Sequence, residues 1–164
     1  MDQLVTRPTW DEYFMSIVDA TALRATCDRG KSGAVIVKRN RILSAGYVGN
    51  PSKMPHCDEV GHTLRHVMEK SIGHGQINHE GDHCISTVHA EANAICNAAR
   101  NGVPLNGSTM YCTMVPCYNC AKLIVQCGMH RVIAKFDYHH SADSKFLFKE
   151  LNIELKILNM KNAY

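Results

Sequence analysis

The chain has 164 residues, 45% of them hydrophobic and 20% charged, with a formal net charge of +3. That balance suits one soluble globular domain with a proper core. It contains no apolar run near the ~20 residues that span a bilayer, and its basic residues form no block of the kind that grips a phosphate backbone. Neither a membrane nor a nucleic acid is therefore an expected partner.

The start, MDQLVTRPTWDEYF, lacks the basic and apolar stretches of a signal peptide, so a cytoplasmic location is expected. The first element is a helix. Thr9 and Glu12 fit a capping box, and Trp10, Phe14, Ile17, Val18 and Thr21 recur at helical spacing, with a stop expected before Gly30. Gly33–Lys38 and Arg41–Tyr47 read as two strands joined by a tight turn at Arg39-Asn40. An irregular stretch, about 49–87, follows; it is rich in Gly, His and polar residues, with one short helix expected near Thr63–Lys70.

Regular alternation then takes over. His89–Asn101 reads as a helix closed by Gly102, Ser108–Thr113 as a strand, and Cys117–Cys127 as a helix ended by Gly128. Arg131–Phe136 is a strand, Ser144–Leu151 a helix, and Ile153–Leu158 a last strand. Strands alternating with helices imply parallel pairing, while the opening hairpin makes the sheet mixed. The expected fold is a single three-layer α/β/α domain over 1–164, with about five strands.

Eight cysteines and ten histidines are the chemical excess. Inside a cell that excess points to metal or catalysis rather than disulfides. Cys117 and Cys120, three apart at a helix start, share a face, and the helix dipole favours their thiolates. With His89 they make three zinc ligands, which leaves a fourth position open for water, as in a catalytic site. Such a water has a pKa near ~7, against ~15.7 in bulk. Glu91 is the discriminating residue, because a hydrolytic zinc needs a proton carrier and a structural zinc does not. Residues two apart on a helix point away from each other, so His89 must sit at the very start of its helix.

His-x-Glu followed by Pro-Cys-x-x-Cys is the pattern of zinc deaminases acting on nucleobases. The stretches WDEYFM, GAVIV, RILSAGYVGNP, TVHAEANAI, MYCTMVPCYNCAKLIVQCG and RVIAKFDYHH extend the match from Trp10 to about His140. In these the chain resembles the deoxycytidylate (dCMP) deaminases of the zinc-dependent cytidine/deoxycytidylate deaminase family. The resemblance implies the cytidine-deaminase fold, zinc on His89, Cys117 and Cys120, and Glu91 as proton shuttle. Water would add at C4 of the cytosine ring, Glu91 would carry its proton to N3, and ammonia would leave to give dUMP for thymidylate synthesis. Family members are often homo-oligomers (hexamers) activated by dCTP and inhibited by dTTP, which makes these nucleotides expected effectors.

Some relatives carry a second, structural zinc. The resemblance offers Cys27, six residues before Gly33, and Cys57 in the loop; His62 and His83 are the chosen further ligands, with Cys84 and His79 as rivals. It also suggests Arg24 for the phosphate, Tyr138 beside the nucleotide, and Ala90 and the 48–50 turn for the substrate. The family's Gly-Tyr-Asn-Gly reads GYVGNP here. Val48 has no side-chain donor or acceptor; either Asn50 replaces the usual asparagine or the sugar is read differently. The competing readings are deamination of dCTP, guanine or a tRNA adenine, and an inactive zinc-stabilised interaction module. Glu91 argues against the last.

Overall fold

The computed structural model describes residues 7–72 and 77–162; the side chains of 77–79 and 160–162, His79 among them, lie outside that description. Helix α1 (Trp10–Ala22) begins on the expected capping box: the Glu12 amide donates to Thr9 Oγ1 at 3.3 Å, and the Thr9 amide to Glu12 Oε2 at 2.7 Å. β1 (Gly33–Lys38) and β2 (Arg41–Tyr47) are antiparallel, joined through Arg39 and Asn40, both at positive φ as a tight primed turn requires. α2 (Cys57–Val60) is a single turn. β3 (Leu64–Lys70) and β4 (Ile77–Cys84) form a separate antiparallel hairpin. After it come α3 (Ala90–Arg100), β5 (Thr109–Met114), α4 (Tyr118–Gln126), β6 (Arg131–Asp137), α5 (Ala142–Glu150) and β7 (Glu154–Asn162).

The main sheet has five strands in the order β2-β1-β5-β6-β7. β5, β6 and β7 run parallel, and β1 is antiparallel to both neighbours. Alternation along the strands builds the three layers. Val35, Val37, Tyr111 and Ile133 face α1, packing on Phe14, Met15 and Val18. Ala34, Ile36, Met110, Cys112, Val132 and Ala134 face the other way, into a cluster with Ala90 and Ala94 of α3, Ile124 of α4 and Phe148 of α5. Each fully buried large side chain of this kind contributes about 1.5–3 kcal/mol. Gly46 of β2 lets α3 approach closely: a Cβ there would lie 2.6 Å from the Ala90 carbonyl oxygen and would also collide with the Ala94 amide.

The helix expected near Thr63–Lys70 is instead the strand β3. Six of its seven residues are exposed, so no buried face exists to impose a helical or an alternating pattern. Among the described residues, no helix is long and apolar enough to cross a membrane.

Candidate metal centre and active site

Two helix starts converge on one point. His89 is the N-cap of α3 and Cys117 the N-cap of α4, both with extended backbone and neither with its side chain capping its own helix. Their side chains are therefore available to face each other. His89 is held there because Val88, just before it, forms an isolated antiparallel bridge to Gly49 beyond the end of β2, with the Val88 amide donating to the Gly49 carbonyl at 2.9 Å. Cys120, one turn into α4, completes the set and is buried.

His89 Nδ1 lies 3.5 Å from Cys117 Sγ and 3.7 Å from Cys120 Sγ. Tetrahedral bonds of zinc length would put a nitrogen and a sulfur ligand about 3.6 Å apart. The three donors thus fit a zinc ion without rearrangement. The hydrogen bond with Cys120, and then that with His89, pull the Cys117 thiol down to about 4. The bond to Cys117 raises the His89 imidazole to about 9, and Cys120 beside the thiolate is pushed up.

Glu91 sits in the first turn of α3, with 8% of its surface exposed. Burial raises its pKa, opposed chiefly by the charge of His89. With His89 at the cap, the two-residue spacing is no obstacle: Glu91 lines the same cavity, of about 340 Å³, as His89 and Cys117. A second lobe of about 600 Å³ shares His83, His89, Cys117, Tyr138 and His140 with the first and runs under the β3–β4 hairpin. The result is a forked cleft whose two arms meet at the His/Cys centre.

A second donor cluster gathers Cys27, Cys57, His62 and Cys84, with all four ligand atoms within 4.8 Å of one another. Cys27 Sγ is 3.7 Å from His62 Nδ1, and Cys57 Sγ is 3.7 Å from Cys84 Sγ. Sulfur pairs in tetrahedral zinc sites stand about 3.8 Å apart, so this set also fits. His62 Nε2 meets Asp28 Oδ1 at 2.8 Å, the partnership that fixes the tautomer of a ligating imidazole. With four protein donors the site is closed, as structural zinc sites are.

Here His83 must be exchanged for Cys84. Cys84 of β4 brings its thiol into the four-donor cluster, of which His83 is not a member; both residues line the two lobes of the cleft.

The substrate candidates separate similarly. Val48 and Tyr138 line the cleft. Arg24 is exposed outside its lining; Arg29, five residues on, lines it instead and donates from Nη2 to the Asp82 carbonyl of β4 at 2.8 Å. Asn50 is turned to the cysteine cluster, donating to the Pro55 carbonyl and accepting from Cys57 Sγ at 3.2 Å, so it does not stand in for the missing asparagine. Ala90 is fully buried and is not part of the lining. Sequence reasoning missed Arg29 as a cleft residue, and it weighed His139 and His140 as pocket lining but took a polar loop as the default; the return of these loops to the cleft was not visible in the sequence.

The family model described as the cytidine and deoxycytidylate deaminase zinc-binding region matches residues 8–136. The chain is 39% identical over 129 residues to a deoxycytidylate deaminase of Mycobacterium phage D29, covering 79% of this chain and 96% of that one. It is 32% identical over 163 residues to ComE operon protein 2 of Bacillus subtilis (strain 168), covering 95% and 78%. Among solved structures, the dCMP deaminase of cyanophage S-TIM5 in complex with dCMP and dUMP superposes with a TM-score of 0.71 at 27% identity, covering 93% of this chain and 98% of that one.

Proposed function

The chain belongs to the cytidine and deoxycytidylate deaminase family, and from that premise we propose that it is a zinc-dependent enzyme hydrolysing dCMP to dUMP and ammonia. The observation that carries this reading is a buried carboxylate, Glu91, in the same cavity as the His89/Cys117 donors. The substrate follows the relatives: one of them is named a deoxycytidylate deaminase, and the cyanophage enzyme holds both dCMP and dUMP.

His89, Cys117 and Cys120 would hold the catalytic zinc, which when bound supplies a Lewis acid that lowers the pKa of water to about 7. Glu91 does the proton work. It takes a proton from the water that adds to C4 and gives it to ring N3. It then moves the remaining hydroxyl proton from the oxygen on C4 to the exocyclic amine, so that C4=O forms as the C4–N bond breaks and ammonia departs. Burial raises its pKa, which makes the carboxylate a better proton acceptor than an exposed one.

Tyr138 forms a wall of the cleft, and Val48 offers the sugar an apolar contact. Arg29 is the phosphate cation in place of Arg24. Cys27, Cys57, His62 and Cys84 would hold a second, structural zinc. A cytoplasmic location, a homo-oligomeric assembly, and control by dCTP and dTTP belong to the same proposal and rest on the family resemblance.

The test is turnover of dCMP, CMP, dCTP and deoxycytidine by the purified protein. dCMP is expected to be fastest; equal rates on all four would overturn a specific monophosphate enzyme. In parallel, Glu91→Gln is expected to keep its zinc and its fold while losing roughly 10²–10⁴-fold in rate. Wild-type rates in that variant would remove Glu91 from the chemistry.

A further inference from the structure

The β3–β4 hairpin lies outside the main sheet, yet it forms one side of the cleft. Its register explains how. Arg65 pairs with His83 and Val67 with Gly81, and directly paired residues share a face. Val67, Glu69 and His83 are on that face, and all three line the arm of the cleft opposite Tyr138 and His140. The other face carries His66, which bridges Asp82 at 3.0 Å and Glu80 at 3.4 Å, and these two carboxylates edge the first lobe of the cleft. The inner face of a two-stranded ribbon has little apolar area to hold it in place: in β3 only Val67 is even half-buried. Something other than packing must fix its position.

At the root, Cys84 and His62 tie the hairpin to the four-donor cluster. Among the described residues, the far end of β3 is tied by a side chain of the main domain. Asp143, in the first turn of α5 and 9% exposed, accepts from Ser71 Oγ at 2.9 Å and from the Ile72 amide at 3.1 Å, both on its Oδ1. Ile72 and Asp143 both line the same arm of the cleft. α5 is also anchored independently of the hairpin: Lys145 Nζ donates to Asp137 Oδ2 at 2.7 Å, and Phe148 is buried in the core.

We propose that Asp143 is a positioning residue that latches the β3–β4 hairpin to α5, so that the hairpin is held as the wall of the nucleotide cleft and substrate affinity depends on a carboxylate remote from the His89/Cys117/Cys120 centre. The inference rests on the deaminase reading for its kinetic consequence but not for its structural one. The two bonds from Ser71 and Ile72 need an acceptor oxygen, and both meet the same atom. Asn at this position can keep that acceptor, and Ala cannot.

The test compares Asp143→Ala, Asp143→Asn and Ser71→Ala with the wild type in the full-length, metal-loaded protein. Two quantities are read: KM and kcat for dCMP, and amide hydrogen exchange across β3 and β4 without substrate. Asp143→Ala is expected to raise KM roughly ten-fold or more with kcat changed much less, and to speed exchange in both strands. Asp143→Asn should restore both readouts. Ser71→Ala, which removes one of the two donors and leaves α5 untouched, should shift both in the same direction by less; it decides the matter if Asp143→Ala does not fold. Unchanged KM and unchanged exchange in the Ala variants would overturn the latch, as would an Asn variant as impaired as Ala. If wild-type protein leaves dCMP intact, the activity reading fails by itself, and the exchange data still decide the latch.

Discussion

His89 and Cys117 owe their use to being helix caps whose side chains do not cap. Serine or aspartate at such a position satisfies its own helix's amides; here the side chains leave their own helices uncapped and meet in a shared donor cluster. This part of the site was legible in the sequence, because each motif is contained in a few residues and the spacing alone orients it. His83 against Cys84, and Arg24 against Arg29, were not legible. The first choice depends on which face of a strand each residue takes, within a segment that reads as irregular. The second depends on the path of a loop after α1. The arginines give a direct test. Arg29→Ala should raise KM for dCMP roughly ten-fold or more while leaving deoxycytidine turnover little changed, and Arg24→Ala should alter neither. Steady-state kinetics on the two substrates separate these outcomes, and equal effects of the two substitutions would remove Arg29 as the phosphate contact.

At the scale of elements, α1 is held to the sheet by Asp11 as well as by Phe14 and Val18. Its carboxylate accepts from Tyr111 Oη of β5 at 2.9 Å, from Arg131 Nη1 and Nη2 of β6 at 3.1 and 3.2 Å, and from Lys156 Nζ of β7 at 2.8 Å. One side chain thus reaches three strands. Burial works against the charge of Asp11, but the bonds from Lys156, Arg131 and Tyr111 together outweigh it, and its pKa falls below the ordinary 3.8. A depressed carboxylate pKa stabilises the fold above the unfolded value, and that contribution fades as the pH drops through the lowered folded value. Asp11→Asn should cost roughly 1–2 kcal/mol near neutrality, with the gap to wild type closing below about pH 3.8. Thermal unfolding across that range checks it; a gap that stays constant in acid would show the charge to be idle. The helix α1 itself was readable from its capping box and apolar spacing. The hairpin was not, because exposed strands held by tethers leave no periodic mark.

For the whole molecule, layering was the most legible property, since β1, β5 and β6 each alternate between two cores. The forked cleft was not, because it is made where loops from distant parts of the chain meet. The two donor clusters predict two zinc ions per chain in protein never exposed to chelator. Cys84→Ala should reduce that to one and lower the melting temperature, with the His89 centre still loaded. Elemental analysis gives the count, and a single ion in the wild type would leave the second cluster as thiols. The seat of α3 on Gly46 carries a different consequence. Because the helix touches the strand with no room for even one methyl group, Gly46→Ala can be accommodated only by lifting the very segment whose first residues are His89, Ala90 and Glu91. In a survey of all single substitutions scored by growth or turnover, this glycine should prove as intolerant as Glu91, though it does not line the cleft. Its intolerance would report the spacing between two backbones.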